Sequence, residues 1–510
     1  MIIHLYIKKL KRFFFLAFFI STTLANSSTL NLSISSNPSR INPILASDSA
    51  SSEISQWIFN GLFKYDKNGN IVNDLASNYK FINDTTLEIS IKQNILWHDG
   101  IKLTADDIIF TYNKIIDPKI FTSLKSSFAY VQSVKKINNY KIEVKYKEPY
   151  FKALNIWMTG ILPSHILKNE PDLMKSDFNK NPIGTGSYKL KTLKNSSDII
   201  LDANNKYFDN RPNIDKLSYK FLADPTTSFF MLKQKKLDVG SITPLQIDRQ
   251  ISDKFIQNYT IVEKPSFGYT YMGFNLSHPK FKNIKIRQAL NLAINRQELV
   301  DILFFGHGKI CTGPFLPNTF AFNDNVKAPI QNIKKAKKLL NDLGYSKDKP
   351  FEFEVVTNAN NSVRVYAAQI LQYQLAKVGI DMKIRVMEWQ AFLNTIVMPK
   401  KYEAIILGWG LSLMPDAKPL WHSSSNKKGG FNLVNYSNKN VDNLIDEGAK
   451  TIDKNKLSLI YKDIFKKITD DIPYLFLYIP NSITVVNKDI KNVNPSFLGI
   501  MHNQKNWIKE

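Results

Sequence analysis

Cysteine is almost missing. Cys311 is the single thiol in 510 residues, so no internal disulfide can form, and no CxxC or Cys/His spacing suggests a zinc site. Arginine is scarce as well: of 68 basic residues only eight are arginine. A formal charge of +24 would invite nucleic acid, but recognition of bases and phosphates leans on arginine forks. The lysines are scattered among abundant Asn and Ile. They read as a solvated basic surface with weak, salt-sensitive attraction to anions, and no nucleic-acid partner is expected. Catalytic signatures are missing too. There is no GxSxG elbow, no GxGxxG after a strand, no Walker loop and no HExxH. The seven histidines share no ligand spacing. Asp106 and Asp107 are adjacent in a helical first turn, where they suit capping better than acid–base work. These absences shift weight from enzyme to binding protein, with no cofactor expected.

Long apolar runs are confined to the N-terminus. Lys8, Lys9, Lys11 and Arg12 precede an apolar stretch from Phe13 to Ile20, and Thr23 and Ala25 supply small residues at the −3 and −1 positions. This is the pattern of a secretory signal peptide over residues 1–25. Eight apolar residues in a helix rise about 12 Å, against a bilayer core of ~30 Å, so cleavage rather than anchoring is expected. No cysteine follows to carry a lipid. The remainder, 44% hydrophobic and 22% charged over the whole chain, has the composition of an exported globular protein, long enough for two or three domains.

The chain reads as strands alternating with helices, hence an α/β fold. Residues 30–48 begin as a strand, and Ile54, Trp57, Ile58 and Leu62 mark a helix over 51–63. A strand is expected at Thr86–Ile91, and Thr104 caps a helix with a buried face of Ile108, Ile109, Tyr112, Ile115 and Ile116. Residues 181–188 (NPIGTGSY) form a glycine-marked junction. After a strand at Tyr269–Leu276, one helix is expected from Ala289 through Phe304, closed by Gly306, and two more are closed by Gly344 and Gly379. A strand at Met382–Met387, a helix around Ile460–Ile468 and a strand at Pro473–Val486 complete the series.

The most informative stretch is Tyr402–Ser425, YEAIILGWGLSLMPDAKPLWHSSS. Ala404–Leu407 read as a buried strand that breaks at Gly408-Trp409-Gly410. A loop with an acid, a second indole and a histidine follows. Strand ends of α/β sheets feed ligand crevices, and an indole between glycines offers a flat wall for a small organic ligand. An ordinary strand end with a core tryptophan is the bland alternative.

Several ordered segments resemble one family, the bacterial extracellular solute-binding proteins of the oligopeptide/dipeptide/nickel type that serve ABC transporters. They include Ile58-Phe59-Asn60-Gly61-Leu62, Trp97-His98-Asp99-Gly100 with Leu103–Asp107, Pro182–Tyr188, Gly273-Phe274-Asn275, Ile286–Leu290 with Ala293–Arg296, Glu388-Trp389, Gly408-Trp409 and Asn435–Asn438. The resemblance implies a two-lobed, type II (Venus-flytrap) periplasmic-binding-protein fold with an extra domain inserted in the first lobe. Residues 26–60, 184–277 and 486–510 would make lobe I, 61–183 the extra domain and 278–485 lobe II. The strand Tyr269–Leu276 and the strand near Val485 would be hinge crossings. It further implies a periplasmic monomer that delivers peptides to permease subunits. Peptide contacts would come from Trp389, Trp409, Gly410, Ser412, Leu413, Asp416, Asn275 and Tyr130. Where many relatives carry an aspartate for the peptide ammonium this chain has Ser412, and Asp416 is the nearest acid. A nickel/metal-chelate or haem-type ligand is an alternative, with His422 as ligand and Trp421 as stacking wall, and an exported protein without a transport role is a further one.

Overall fold

The computed structural model describes residues 27–193, 198–427 and 429–510; the expected signal peptide lies outside them. Among the described residues no helix is long and apolar enough to cross a membrane.

One strand organises the rest. Tyr474–Asn487 is 14 residues long and changes partners halfway. Its first half pairs with Gly268–Phe274 and Gly308–Ile310, and its second half with Val239–Ile242 and Tyr259–Pro265. Outward from Gly268–Phe274 the sheet continues with antiparallel Ala404–Gly410 and then parallel Phe351–Asn358 and Ile380–Met387. This part is covered on both faces. Tyr271, Ile405 and Leu407 enter one core with the helices Lys439–Ala449 and Lys454–Asp471. Met272, Phe274, Ala404 and Ile406 enter another with Ile284–Ala293 and Ser362–Ala376. Alternate residues of a strand face opposite sides, so a strand buried on both reads as the uninterrupted apolar run Ala404–Leu407.

A separate four-stranded sheet orders Thr29–Ile34, Lys216–Phe221, Asp198–Ala203 and Tyr188–Leu193. A third orders Ala76–Asn83, Thr86–Ile91, Lys141–Tyr146 and Val131–Asn138. The two share one continuous hydrophobic core. The backbone passes from this half of the molecule to the other at 265–268 and again at 479–482. Gly268–Phe274 packs with the second half, with Tyr269 and Tyr271 beside Trp421 and Phe476.

Other expectations shift for local reasons. The first helix is Ser49–Ile58, shorter than 51–63. The helix expected through Phe304 is two, Ile284–Ala293 and Arg296–Phe304. Between them Ile294 is extended, and the Asn295 side chain accepts from Glu298 N to cap the second helix, a role Asn performs better than a helix interior does. The strand expected to break at Gly408 runs through Gly410, held by Gly268–Thr270.

The 181–188 junction joins the extra sheet to the first. At Gly184 a Cβ would stand 1.8 Å from the Ile58 carbonyl oxygen, so only glycine permits the approach. His98 locks the other side. Its Nδ1 accepts from Gly184 N at 3.3 Å and its Nε2 donates to Gly186 O at 3.0 Å. That arrangement needs a neutral ring, and burial pushes the pKa down to about 4. Lys189, whose Nζ donates to His98 O, pushes the same way, while the bond to the Gly186 carbonyl and, less, Asp99 oppose. With a folded pKa below the unfolded value near 6.5, the unfolded state binds the proton first. This contribution is present at neutral pH and lost as pH falls from about 6.5 to about 4, up to about 3 kcal/mol. Urea unfolding at pH 7.5 and 4.5 should show a smaller acid loss in His98→Gln than in the parent.

Candidate functional site

Trp409 is oriented by an aromatic stack. Its Nε1 donates to the Tyr474 hydroxyl at 3.3 Å, its ring lies nearly parallel to Tyr271 (12°, 6.2 Å), and Tyr271 stacks on Tyr474 at 3.8 Å. Phe431 meets it edge-on. Beside it the sheet is incomplete. On this side Phe351–Asn358 reaches only Ala404 and Ile405, and Thr357 Oγ1 donates to Ile406 O at 3.0 Å. From Gly408 to Gly410 one edge is paired with Gly268–Thr270, and among the described residues no strand takes the other. An open strand edge is a template for an added strand.

Two cavities flank this edge. One, of about 340 Å³, is bounded by Trp409, Gly410, Leu411, Ser412 and Asp416, by Phe315 and Leu316, and by Ser127 and Lys152 of the extra domain. The other, of about 330 Å³, is bounded by Trp409, Gly408, Thr270, Tyr478, Asn361 and Arg364.

Charge is distributed unequally between them. Arg364 stands in the first turn of Ser362–Ala376, where the helix dipole adds positive potential. Its Nη1 donates to Asn358 Oδ1 at 3.0 Å, its Nε has no partner, and among the described residues no carboxylate pairs with it. Burial pushes its pKa below the ordinary value. The Tyr478 hydroxyl, lining the same cavity, also lacks a partner. At Gly408 a Cβ would stand 2.8 Å from Arg364 Nη2, so glycine keeps the guanidinium beside the strand edge.

The opposite end is neutralised. Lys152 Nζ donates to Asp416 Oδ2 at 2.5 Å, and Asp416 Oδ1 accepts from Lys418 N. Lys152 lies over the Phe151 ring, Phe151 packs on Tyr461, and Phe151 N donates to Ala449 O. Residues 151–152 thus tie the extra domain to the second half of the molecule. The Ser412 hydroxyl donates to Met414 O at 2.6 Å and is engaged locally.

Of the residues expected at the site, the structure brings together Trp409, Gly410, Ser412 and Asp416. Leu411 lines the cavity where Leu413 was expected. Trp389 is half-buried beside Phe392 and lines neither cavity. Asn275 is a turn lock: its Nδ2 donates to Tyr402 O and Lys400 O, and its Oδ1 accepts from Ser277 N and Asn435 Nδ2. Tyr130 stacks face to face on Tyr150 at 4.3 Å and lines neither cavity. Trp421 is fully buried against Tyr436 and Tyr474, so it is a core residue and no ligand wall. His422 is turned to Asp446 and Ser424, away from both cavities. Lys152 and Arg364 escaped the sequence reading. One lysine among sixty carries no signal, but an arginine in a chain with eight, at the start of a helix, could have been singled out.

Residues 70–431 match the model of the bacterial extracellular solute-binding proteins, family 5 (middle), and the chain belongs to that family. It is a non-catalytic solute-binding protein of an ABC importer. The oligopeptide-binding protein AppA of Bacillus subtilis (strain 168) is 32% identical over 489 residues, spanning 92% of this chain and 89% of AppA. The structure of B. subtilis AppA in complex with a nonapeptide superposes with a TM-score of 0.78 at 31% identity, over 94% of this chain and 99% of that one. That of NikZ from Campylobacter jejuni in complex with Ni(L-His) gives 0.80 at 28%, over 95% and 100%. The two-lobed α/β periplasmic-binding-protein fold is common to them and this chain.

The Lys152–Asp416 pair is partly exposed (13% and 29% of the side chains), so its coupling should be modest. A double-mutant cycle with Lys152→Ala and Asp416→Asn, read by urea unfolding, should give about 1 kcal/mol.

Proposed function

We propose that this chain is the peptide receptor of its importer, exported after removal of residues 1–25, acting as a monomer in the periplasm and delivering its ligand to the permease subunits. The observation that carries the reading is the unpaired edge of Gly408–Gly410 beside the Trp409 wall. A peptide laid along it gains backbone hydrogen bonds with little demand on its side chains. The unpaired guanidinium of Arg364 and the helix start beside it supply what a C-terminal carboxylate needs. The likeness to AppA supports the same ligand class.

The amino end of the ligand is treated differently. Asp416 already holds an internal ammonium and Ser412 is bonded to Met414, so no free acid waits there. The ligand is held by its backbone and carboxylate rather than its amine. Lobe I, the extra domain and lobe II would then close as in a Venus flytrap, turning at 265–268 and 479–482, with ligand selecting the shut form.

A metal chelate is the second reading, favoured by the likeness to NikZ. Among the described residues no group of three or more His, Cys, Asp or Glu side chains could hold a metal ion, so a metal would arrive already chelated.

Native mass spectrometry of the purified protein should reveal co-purified peptides, and a peptide mixture should raise the melting temperature by mass action. No shift with peptides alongside a shift with nickel–histidine would replace this reading with the second. Trp409→Ala should abolish the shift while circular dichroism stays unchanged. For a binding peptide, C-terminal amidation should weaken affinity about tenfold or more, the scale of a lost charge-assisted pair. N-acetylation should matter by no more than about threefold, and Arg364→Met should erase the amidation effect.

A further inference from the structure

The second lobe contains another cavity, of about 380 Å³, which the proposed peptide cleft leaves unused. Its floor is the Arg296 side chain, at the start of Arg296–Phe304 and only 4% exposed. Nε donates to Phe476 O at 2.6 Å and Nη2 donates to the Asn291 side-chain oxygen. Nη1 is buried with no partner, and among the described residues no carboxylate pairs with the guanidinium. The neighbouring Cys311 offers no counter-charge, since burial pushes its thiol up to about 12. Thr312 Oγ1 lines the same cavity and is likewise buried and unpartnered.

A buried cation without an opposite charge is costly, by several kcal/mol. Water could satisfy the free N–H but not the charge, and the cavity has room for more than one water. The mouth is basic as well. Lys327 and Lys335 line it and are exposed. The one acid there, Asp470, is already held by Lys466 at 2.6 Å. A charged rim above a buried cation draws anions inward.

We propose that this cavity is a second binding site, for a small organic acid, with one carboxylate on Arg296 Nη1 and Thr312 Oγ1 and with Lys327 and Lys335 at its entrance. It stands independently of the peptide reading, because Arg296, Thr312, Lys327 and Lys335 belong neither to the open strand edge nor to the cavities beside Trp409.

Because Arg296 also holds the Phe476 carbonyl, the test alters the residues around it. The purified chain is titrated with acetate, succinate, citrate and inorganic phosphate, each against sodium chloride of equal ionic strength, and read by calorimetry and melting temperature. Saturable binding of a carboxylate at about 1 mM or tighter is expected. Thr312→Val should weaken it about tenfold, and so should Lys327→Glu with Lys335→Glu. No saturable binding by any of the four would overturn the proposal, as would wild-type affinity in the Thr312 and lysine variants. Phosphate binding in preference to every carboxylate would overturn the assignment to organic acids.

Discussion

The strand Tyr474–Asn487 is the constraint on which the molecule depends. Its first half is paired into one half of the molecule and its second half into the other, so its own backbone is one of the two short passages that join them. The same strand supplies Tyr474, which orients Trp409, and Tyr478, which stands beside Arg364. Covalent continuity, aromatic wall and charged pocket therefore meet at one place. Turning at 265–268 and 479–482 would move the lobes while leaving the Tyr271–Tyr474–Trp409 stack undisturbed, since every member belongs to the second half.

Electrostatics sets the character of the proposed cleft. On one side of Trp409 a guanidinium is left without an acid; on the other an acid is already matched by a lysine from the extra domain. A zwitterionic ligand would find one welcoming end and one occupied end. The Lys152–Asp416 contact also ties the extra domain to the second lobe, so a ligand that displaced Lys152 would trade an internal ion pair for its own, with little net electrostatic gain.

Much of the fold was legible because it rests on local rules. The strand Thr86–Ile91 alternates with period two and appears where expected. The helices closed by Gly344 and Gly379 end where positive φ is required. The misread helix around Ile294 shows the limit: apolar spacing continued through a break that a single Asn cap created. The strand expected to stop at Gly408 continued because Gly268–Thr270, more than a hundred residues earlier, pairs with it. Trp409, Gly410, Ser412 and Asp416 could be found because they lie close together along the chain, at a strand end and the loop after it. Asn275 and Trp421 were misplaced for the opposite reason: a polar side chain and an indole have the same letter whether they face a ligand or lock a turn and fill a core.

The sequence by itself determined the family, the α/β alternation and the absence of a disulfide, because each is written in residues close together or in motifs kept in order. Tertiary structure alone decided which charges are paired. Lys152 and Asp416 are 264 positions apart, and among the described residues Arg364 lacks a carboxylate partner only because of what folding fails to bring near it. Pairing and desolvation are properties of space, not of spacing, and they determine what the cleft can hold.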